Sequence, residues 1–338
     1  MRQPRSKITD VARLAGVSVA SVSRVLNATD AVADSTRLKV LKAVEHLDFR
    51  IDLRARAHSR QKSQTLGIVV ADVSNPFTAQ VLQAINSVTR ANGYGLLLSD
   101  SGENFERECD NLEAMLAQRI EGIIYLPVTR SGRSLKRLIA QDISVVCLDR
   151  YVEDVATDAV FMDNERAGAL AAEVLIKAGH TRVGVIVAGE ATVGRDRLRG
   201  FERELDRLSV PLNPAWVRVG DLSLESGHDH TLSLCTLASG PTAVFVQNHP
   251  MAVGALLALR TLGLSVPQDL SIVSFDDPTW AQLLDPPLTT IRQPTYKLGS
   301  AAAEMLIDRV TRRYIDVPRR IVVEPSLIVR RSVGPPSW

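Results

Sequence analysis

From Leu66 onward, short apolar runs alternate with helix-patterned segments, and the alternation runs through twice. Leu66-Gly-Ile-Val-Val-Ala71 reads as a buried strand, followed by a helix that Pro76 starts and Gly93 ends. Further strands fall at 95–99, 122–126 and 144–148, and the pattern restarts at 182–188, 243–247 and 270–275. Such alternation predicts parallel sheets covered by helices on both faces. Two runs predict two lobes, with a ligand crevice outside the carboxyl ends of the strands.

The first 49 residues follow a different period. Thr9 reads as the N-cap of a short helix patterned by Val11, Ala12, Leu14 and Ala15, and Gly16 supplies the permissive backbone of a tight turn. Ser18 caps a second helix with Val22, Val25 and Leu26 on its inner face. A third helix, roughly 34–47, closes a small core through Leu38, Leu41, Val44 and Leu47. Two short helices joined by a glycine turn are the motif whose second helix enters the DNA major groove.

Charge divides the chain at the same place. Residues 1–62 hold 13 Lys/Arg against 6 Asp/Glu, a net of +7, while the remainder holds 27 against 32, a net of −5. A basic head on a mildly acidic body is the pattern of a nucleic-acid reader carrying a separate domain, although a basic tail touching membrane or RNA has the same signature. With 45% hydrophobic residues and no run approaching a membrane span, the chain has the composition of a soluble protein. Cys109, Cys147 and Cys235 are odd in number and far apart, which argues against a disulfide framework and for a reducing cytoplasm; the basic start lacks the apolar run of a secretion signal.

The stretch Ile8-Thr-Asp-Val-Ala-Arg-Leu-Ala-Gly-Val-Ser-Val-Ala-Ser-Val-Ser-Arg-Val-Leu-Asn27 resembles the head of the lactose/galactose repressor family of bacterial transcriptional regulators. The resemblance continues through Asp72-Val-Ser-Asn-Pro-Phe77, Ala178-Gly-His-Thr-Arg182, Arg197-Leu-Arg-Gly-Phe201, Pro287-Leu-Thr-Thr-Ile-Arg-Gln-Pro294 and Leu327-Ile-Val-Arg-Arg-Ser332. It implies an α/β protein with an all-α helix-turn-helix head and a two-lobed, periplasmic-binding-protein-like body. By that likeness the head is 1–49, a hinge segment 50–64 and the body 65–332. Lobe 1 is then about 65–162 with 292–323, lobe 2 about 163–291 with 324–332, and 333–338 a tail. The chain changes lobe near Asp163, Ile291 and Glu324.

On the DNA side the resemblance assigns base-edge contacts to Val19, Ala20 and Arg24. The chemistry agrees, since Arg suits the paired acceptors of guanine and the small apolar side chains can touch only thymine methyls. Thr9, Ser21, Ser23 and Asn27 are expected phosphate contacts, and the bland alternative is that these small residues only cap and pack a three-helix bundle. The basic segment with Arg54 and His58 is either a solvated linker or the family's DNA-folded hinge. This sequence departs there: Asp48, Ile51 and Asp52 replace Gly, Pro and Asn, and His58 replaces the leucine that wedges into the minor groove. Ala33 likewise replaces a capping serine, leaving Asp34 to take over the cap.

For a small-molecule effector the matching positions are Phe77, Asp149, Arg197, Leu222, Asn248, His249 and Asp276. Carboxylates accept from neighbouring hydroxyls, Arg197 donates a planar pair, Asn248 both donates and accepts, and Phe77 offers a ring face. The alternative is that these residues serve as helix caps and lobe-closing ion pairs. Leu222 stands where the family roofs its ligand with an aromatic, and His249 where it has an aspartate. Both departures suggest a sugar acid held by Arg197 with help from His249, rather than an ordinary neutral sugar. The resemblance implies a homodimer on a palindromic double-stranded DNA operator, with no cofactor, metal or membrane. Paired Asp276-Asp277 and His228-Asp-His230 do not by themselves call for an enzyme or a metal site. A sugar-uptake binding protein and a regulator answering to a protein corepressor are the competing readings.

Overall fold

The computed structural model describes residues 8–26, 32–47, 63–189, 192–311, 313 and 317–337. The chain divides into two units, Met1–Ser63 and Gln64–Trp338. Among the described residues no helix is long and apolar enough to cross a membrane.

The first unit contains α1 (Ile8–Ala15), α2 (Val19–Leu26) and α3 (Asp34–His46). Gly16 ends α1 with a positive φ of 65°, which only a residue lacking Cβ adopts freely. The Ser18 hydroxyl accepts from the Ser21 N–H at 3.1 Å and starts α2. The core is Val11, Ala12, Ala15, Val22, Val25, Val40 and Ala43.

Three expectations fail in this unit. Thr9 is no N-cap, because the helix already includes Ile8. Leu14, Leu38 and Leu41 are exposed, at 52%, 59% and 50%. The buried face of α3 runs through Val40 and Ala43, with Val44 and Leu47 packed beside them. That is the i, i+3, i+4, i+7 spacing of a single helical stripe, whereas 38, 41, 44 and 47 drift around the cylinder. Finally, Ala33 occupies the cap position of α3 with no side-chain hydrogen bond, and Asp34 is the first helical residue. Its carboxylate favours the helix N-terminus electrostatically rather than by capping.

The second unit contains two six-stranded sheets. The first is built from β1 (Thr65–Val70), β2 (Gly95–Asp100), β3 (Gly122–Tyr125), β4 (Ser144–Leu148), β5 (Asp158–Met162) and β11 (Arg320–Val323), in the order β11-β5-β4-β3-β1-β2. The second uses β6 (Val183–Ala188), β7 (Val217–Gly220), β8 (Ala243–Val246), β9 (Ser271–Phe275), β10 (Thr289–Arg292) and β12 (Ser326–Ile328), in the order β12-β10-β9-β8-β6-β7. Among the described residues all strand pairings are parallel except β12 on β10. The helices are α4 (Pro76–Ala91), α5 (Phe105–Ala117), α6 (Leu135–Ala140), α7 (Asn164–Lys177), α8 (Thr192–Arg207), α9 (Leu224–Cys235), α10 (His249–Leu262) and α11 (Thr295–Val310).

Each sheet is covered on both faces. Leu66, Ile68 and Val70 of β1 pack with Val81 and Ile85 of α4 and Leu298 and Leu306 of α11, while Val69 turns to Leu112 and Met115 of α5. In the other lobe α7 and α8 cover one face and α9 and α10 the other. The period-2 alternation of a strand explains how continuous apolar runs feed two cores at once. The chain passes between the sheets after β5 at Asp163, after β10 at Gln293 and Pro294, and between β11 and β12 at Glu324 and Pro325.

Candidate effector cleft and DNA-reading helix

Both sheets present their carboxyl ends to one crevice. Asp149 follows β4, Leu222 closely follows β7, and Asp276 follows β9. All three have left-handed backbones, with φ of 66°, 75° and 66°. A residue with a Cβ is held there at a cost of about 1–3 kcal/mol, and such strain clusters at functional sites. Leucine has no side-chain hydrogen bond to offset that cost, so Leu222 is the most telling of the three.

Arg197 sits at the floor, 4% exposed. Its Nε–H donates to Asn164 Oδ1 at 2.8 Å and its Nη1–H to the Gln247 carbonyl at 2.7 Å. Its guanidinium lies over the Phe275 ring, 3.3 Å from the centroid. Burial pulls its pKa down to about 10 against the support of Asp149 and Asp276. Those two carboxyls are pushed up by burial, and Arg197 partly offsets the rise in each. Arg150, by contrast, is spent on a two-pronged pair with Glu103 at 2.6 and 2.8 Å.

Two glycines place this arginine. A Cβ on Gly168 of α7 would lie 1.9 Å from the Arg197 carbonyl, and one on Gly200 of α8 would lie 1.9 Å from the Glu165 carbonyl. The helices therefore touch backbone to backbone, which brings Asn164 at the start of α7 to the Arg197 side chain. Gly227 and Gly254 do the same for α9 and α10, each within 2.2 Å of the opposing backbone if a Cβ is added.

Beside this floor lies a cavity of about 280 Å³ lined by Asn75, Phe77, Gln80, His249, Asp276 and Gln293, among others. Asp277 forms one wall with Arg292 at 2.5 Å and Arg330 at 2.7 Å. Asp276 instead accepts from Gln293 Nε2 at 2.8 Å, so the adjacent carboxylates turn to different partners. Four buried polar atoms around the crevice have no partner among the described residues: Asp149 Oδ1, Gln247 Nε2, His249 Nδ1 and Gln293 Oε1. Leaving such a group unmet costs roughly 1–3 kcal/mol, which a bound polar molecule would recover. Two contacts also span the lobes: Arg195 of α8 pairs with Glu153 at 2.9 Å, and the Tyr151 hydroxyl reaches Asp196 at 3.4 Å.

Of the seven expected effector residues, Phe77, His249 and Asp276 line the cavity, and Asp149 and Arg197 lie in its electrostatic neighbourhood. Asn248 is different. Its Oδ1 caps α10 by accepting from the Met251 N–H at 2.9 Å, and its Nδ2 donates to the Leu222 carbonyl at 3.2 Å. Half of its hydrogen-bonding capacity therefore goes to the loop and the helix. Leu222 packs against the apolar core of its own lobe. Asn164, Gln247, Gln293, Asn75 and Trp280 were not singled out from sequence. Asn75 and Gln293 each lie inside a family landmark, at 72–77 and 287–294; Asn164, Gln247 and Trp280 are brought in from separate elements.

In the other unit, Val19 is 43% exposed, and Ala20 and Arg24 also face solvent, opposite the buried Val22 and Val25 of the same helix. Thr9 is exposed, and the Ser21 hydroxyl shares a 2.9 Å hydrogen bond with Ser18. Asn27, Arg54, His58 and the side chain of Ser23 fall outside the described residues. His228 contacts Asp229 and His230 contacts the Val219 carbonyl, each at 3.0 Å, so the two imidazoles do not converge.

A helix-turn-helix unit joined to two parallel-sheet lobes around a polar crevice defines the class of ligand-responsive DNA-binding regulators. Comparison with known proteins gives the family. Residues 7–51 match bacterial regulatory proteins of the lacI family, and residues 172–333 match a periplasmic binding protein-like domain. The chain is 33% identical to the ribose operon repressor of Haemophilus influenzae, over 96% of this chain and 97% of that one. It is 32% identical to the transcriptional repressor PurR of Vibrio vulnificus, over 96% and 98%. Among solved structures, the Lac repressor dimer bound to operator and the anti-inducer ONPF superposes with a TM-score of 0.87 at 27% identity, covering 98% of this chain and all of that one. The regulator CelR in complex with cellobiose gives 0.75 at 28% identity, covering 97% and 100%. The chain belongs to the lacI family: it is a DNA-binding transcriptional regulator with an effector-binding body.

Proposed function

We propose that this protein is a repressor that binds a palindromic operator as a homodimer in the cytoplasm. Val19, Ala20 and Arg24 read base edges, and Thr9, Ser21, Ser23 and Asn27 hold phosphates. Arg54 and His58 act where relatives carry their hinge. A small metabolite in the interlobe crevice sets operator affinity through Phe77, Asp149, Arg197, His249 and Asp276, with Leu222 and Asn248 shaping the loops around it. No catalytic role is assigned.

The observation that carries the effector reading is the set of four unpartnered buried polar atoms beside three left-handed residues at the strand ends. Two are acceptors and two are donors, the pattern that a polyhydroxylated molecule complements. Charge favours a neutral sugar over a sugar acid. Asp149, Asp276, Asp277 and Glu103 are matched by Arg150, Arg197, Arg292 and Arg330, which leaves no surplus cation for a carboxylate among the described crevice residues. The relatives' names support a small-metabolite signal, since one controls a ribose operon and another is seen with cellobiose.

Selection of genomic DNA fragments by the purified protein tests this reading. One enriched palindrome, whose affinity changes about 5–150-fold on adding the right small molecule, is the expected result. Sequence-blind, salt-sensitive binding that no metabolite alters would defeat it.

A further inference from the structure

His249 departs from the family pattern, and the structure surrounds it with a feature of its own. Trp280 lies in the single 3-10 turn Thr279–Gln282 that follows β9. Its indole N–H donates to His249 Nε2 at 3.0 Å, with the ring centroids 5.4 Å apart and the planes at 53°. An indole nitrogen can only donate, so Nε2 must offer its lone pair and the neutral ring must carry its proton on Nδ1. That Nδ1 is buried and has no partner among the described residues. His249 is also the first residue of α10, where the positive end of the helix dipole opposes an imidazolium. Burial pushes its proton affinity down as well. The charged groups lining the cavity with it are Asp276, Asp277, Arg292 and Arg330, and the last three are engaged with one another.

We propose that Trp280 is a positioning residue that holds His249 as an uncharged Nδ1–H donor on the cavity wall. The effector group received there is then an acceptor, and because the lining Arg292 and Arg330 are already paired with Asp277, an uncharged hydroxyl or ring oxygen fits it better than a carboxylate. The inference rests on reading the crevice as the effector site and adds the residue that sets its polarity. The fixed tautomer is a property of the ligand-free protein and stands or falls separately.

Full-length protein labelled with 15N-histidine tests it, with the His249 signals among the six histidines identified by His249→Gln. At pH 7 the expected result is Nδ1 protonated and Nε2 bare. Trp280→Phe keeps an aromatic ring but removes the donor, so His249 should become a tautomer mixture and titrate at higher pH. An Nε2–H or charged ring in the wild type would overturn the proposal, as would an unchanged titration in the variant. The wild-type spectrum decides even if the variant fails to fold. Thermal shifts with D-ribose, D-glucose and D-gluconate then read the ligand side. Stabilisation by a neutral sugar that shrinks in Trp280→Phe supports the assignment. Stronger stabilisation by D-gluconate, growing from pH 7 to pH 6, overturns the uncharged acceptor. If none of the three stabilises the protein, the result counts against the uncharged acceptor, while the spectra still settle the tautomer.

Discussion

On the head, Val19, Ala20 and Arg24 stand in solvent on a helix whose other face fills a core of seven small and branched residues. On the body, Arg197 and Asp149 are 4% and 9% exposed, and several backbone and side-chain partners hold the arginine in place. The contrast follows from what each region recognises. DNA brings its own rigid lattice of charges and base edges, so the reading side chains need only project from a helix. A small molecule brings no frame, so the crevice must supply one in advance, at the cost of strained backbone and unmet polar atoms.

That contrast is sharpest at the two arginines. Arg197→Ala should destabilise the body by about 3–5 kcal/mol, because it takes the nearby cation from buried Asp276 and the donors from Asn164 Oδ1 and the Gln247 carbonyl, and should abolish the effector response. Denaturant unfolding would check this, and Arg197→Lys should lose the response at a smaller stability cost. Little change in either quantity for Arg197→Ala would break the distinction between the regions. Gly200→Ala comes next, expected to cost about 1–3 kcal/mol as α7 and α8 are forced apart, with effector affinity falling because Arg197 moves away from Asn164. Arg24→Ala is the converse case: specific operator affinity should fall by about 1–3 kcal/mol while the melting temperature of the protein stays put. A melting temperature that drops with Arg24→Ala would mean that the arginine belongs to the fold.

Two smaller effects refine the comparison within the body. His180 and His249 have proton affinities lowered by burial. Their contribution to stability is therefore fully present above about pH 6.5 and is lost as pH falls through their depressed values. Melting temperatures measured from pH 7.5 downward should show this acid loss, and His249→Gln should remove part of it. Asp149 and Asp276, with raised values, act in the opposite direction, their contribution declining as pH rises through those values. Least of all, Glu153→Gln should shift effector affinity by no more than about 1 kcal/mol, since the Arg195 pair is half in solvent. A larger shift by calorimetry would make that interlobe pair a principal control of closure.

Much was legible before any coordinates. Alternating apolar runs dictated two helix-covered parallel sheets, because a strand buried on both faces has no polar side to show. The Gly16 turn and the Ser18 cap dictated the helix-turn-helix, because local backbone chemistry acts over only a few residues. Resemblance marked the positions of Arg197, Asp149 and Asp276, and the Arg197-Leu-Arg-Gly-Phe201 landmark contained the glycine that makes the close helix contact. The buried face of α3 is not legible in sequence, because Leu38 and Leu41 look like core residues to any hydrophobicity pattern, and only packing against α1 and α2 chooses between two apolar stripes.

Tertiary structure alone decided what each polar group is doing. Asn248 reads from sequence as a ligand contact or a cap, and its hydrogen bonds to Met251 and Leu222 show that it caps α10. Asn164 and Gln247 are unremarkable in sequence, and they meet Gln293 only because three crossings and two glycine contacts bring separate elements to one place. His249 lies 31 positions from the tryptophan that fixes its proton. Residue type and local spacing determine which elements form and which way their apolar faces turn. The partner of a buried donor or acceptor is set by distances across the fold, which sequence order does not encode.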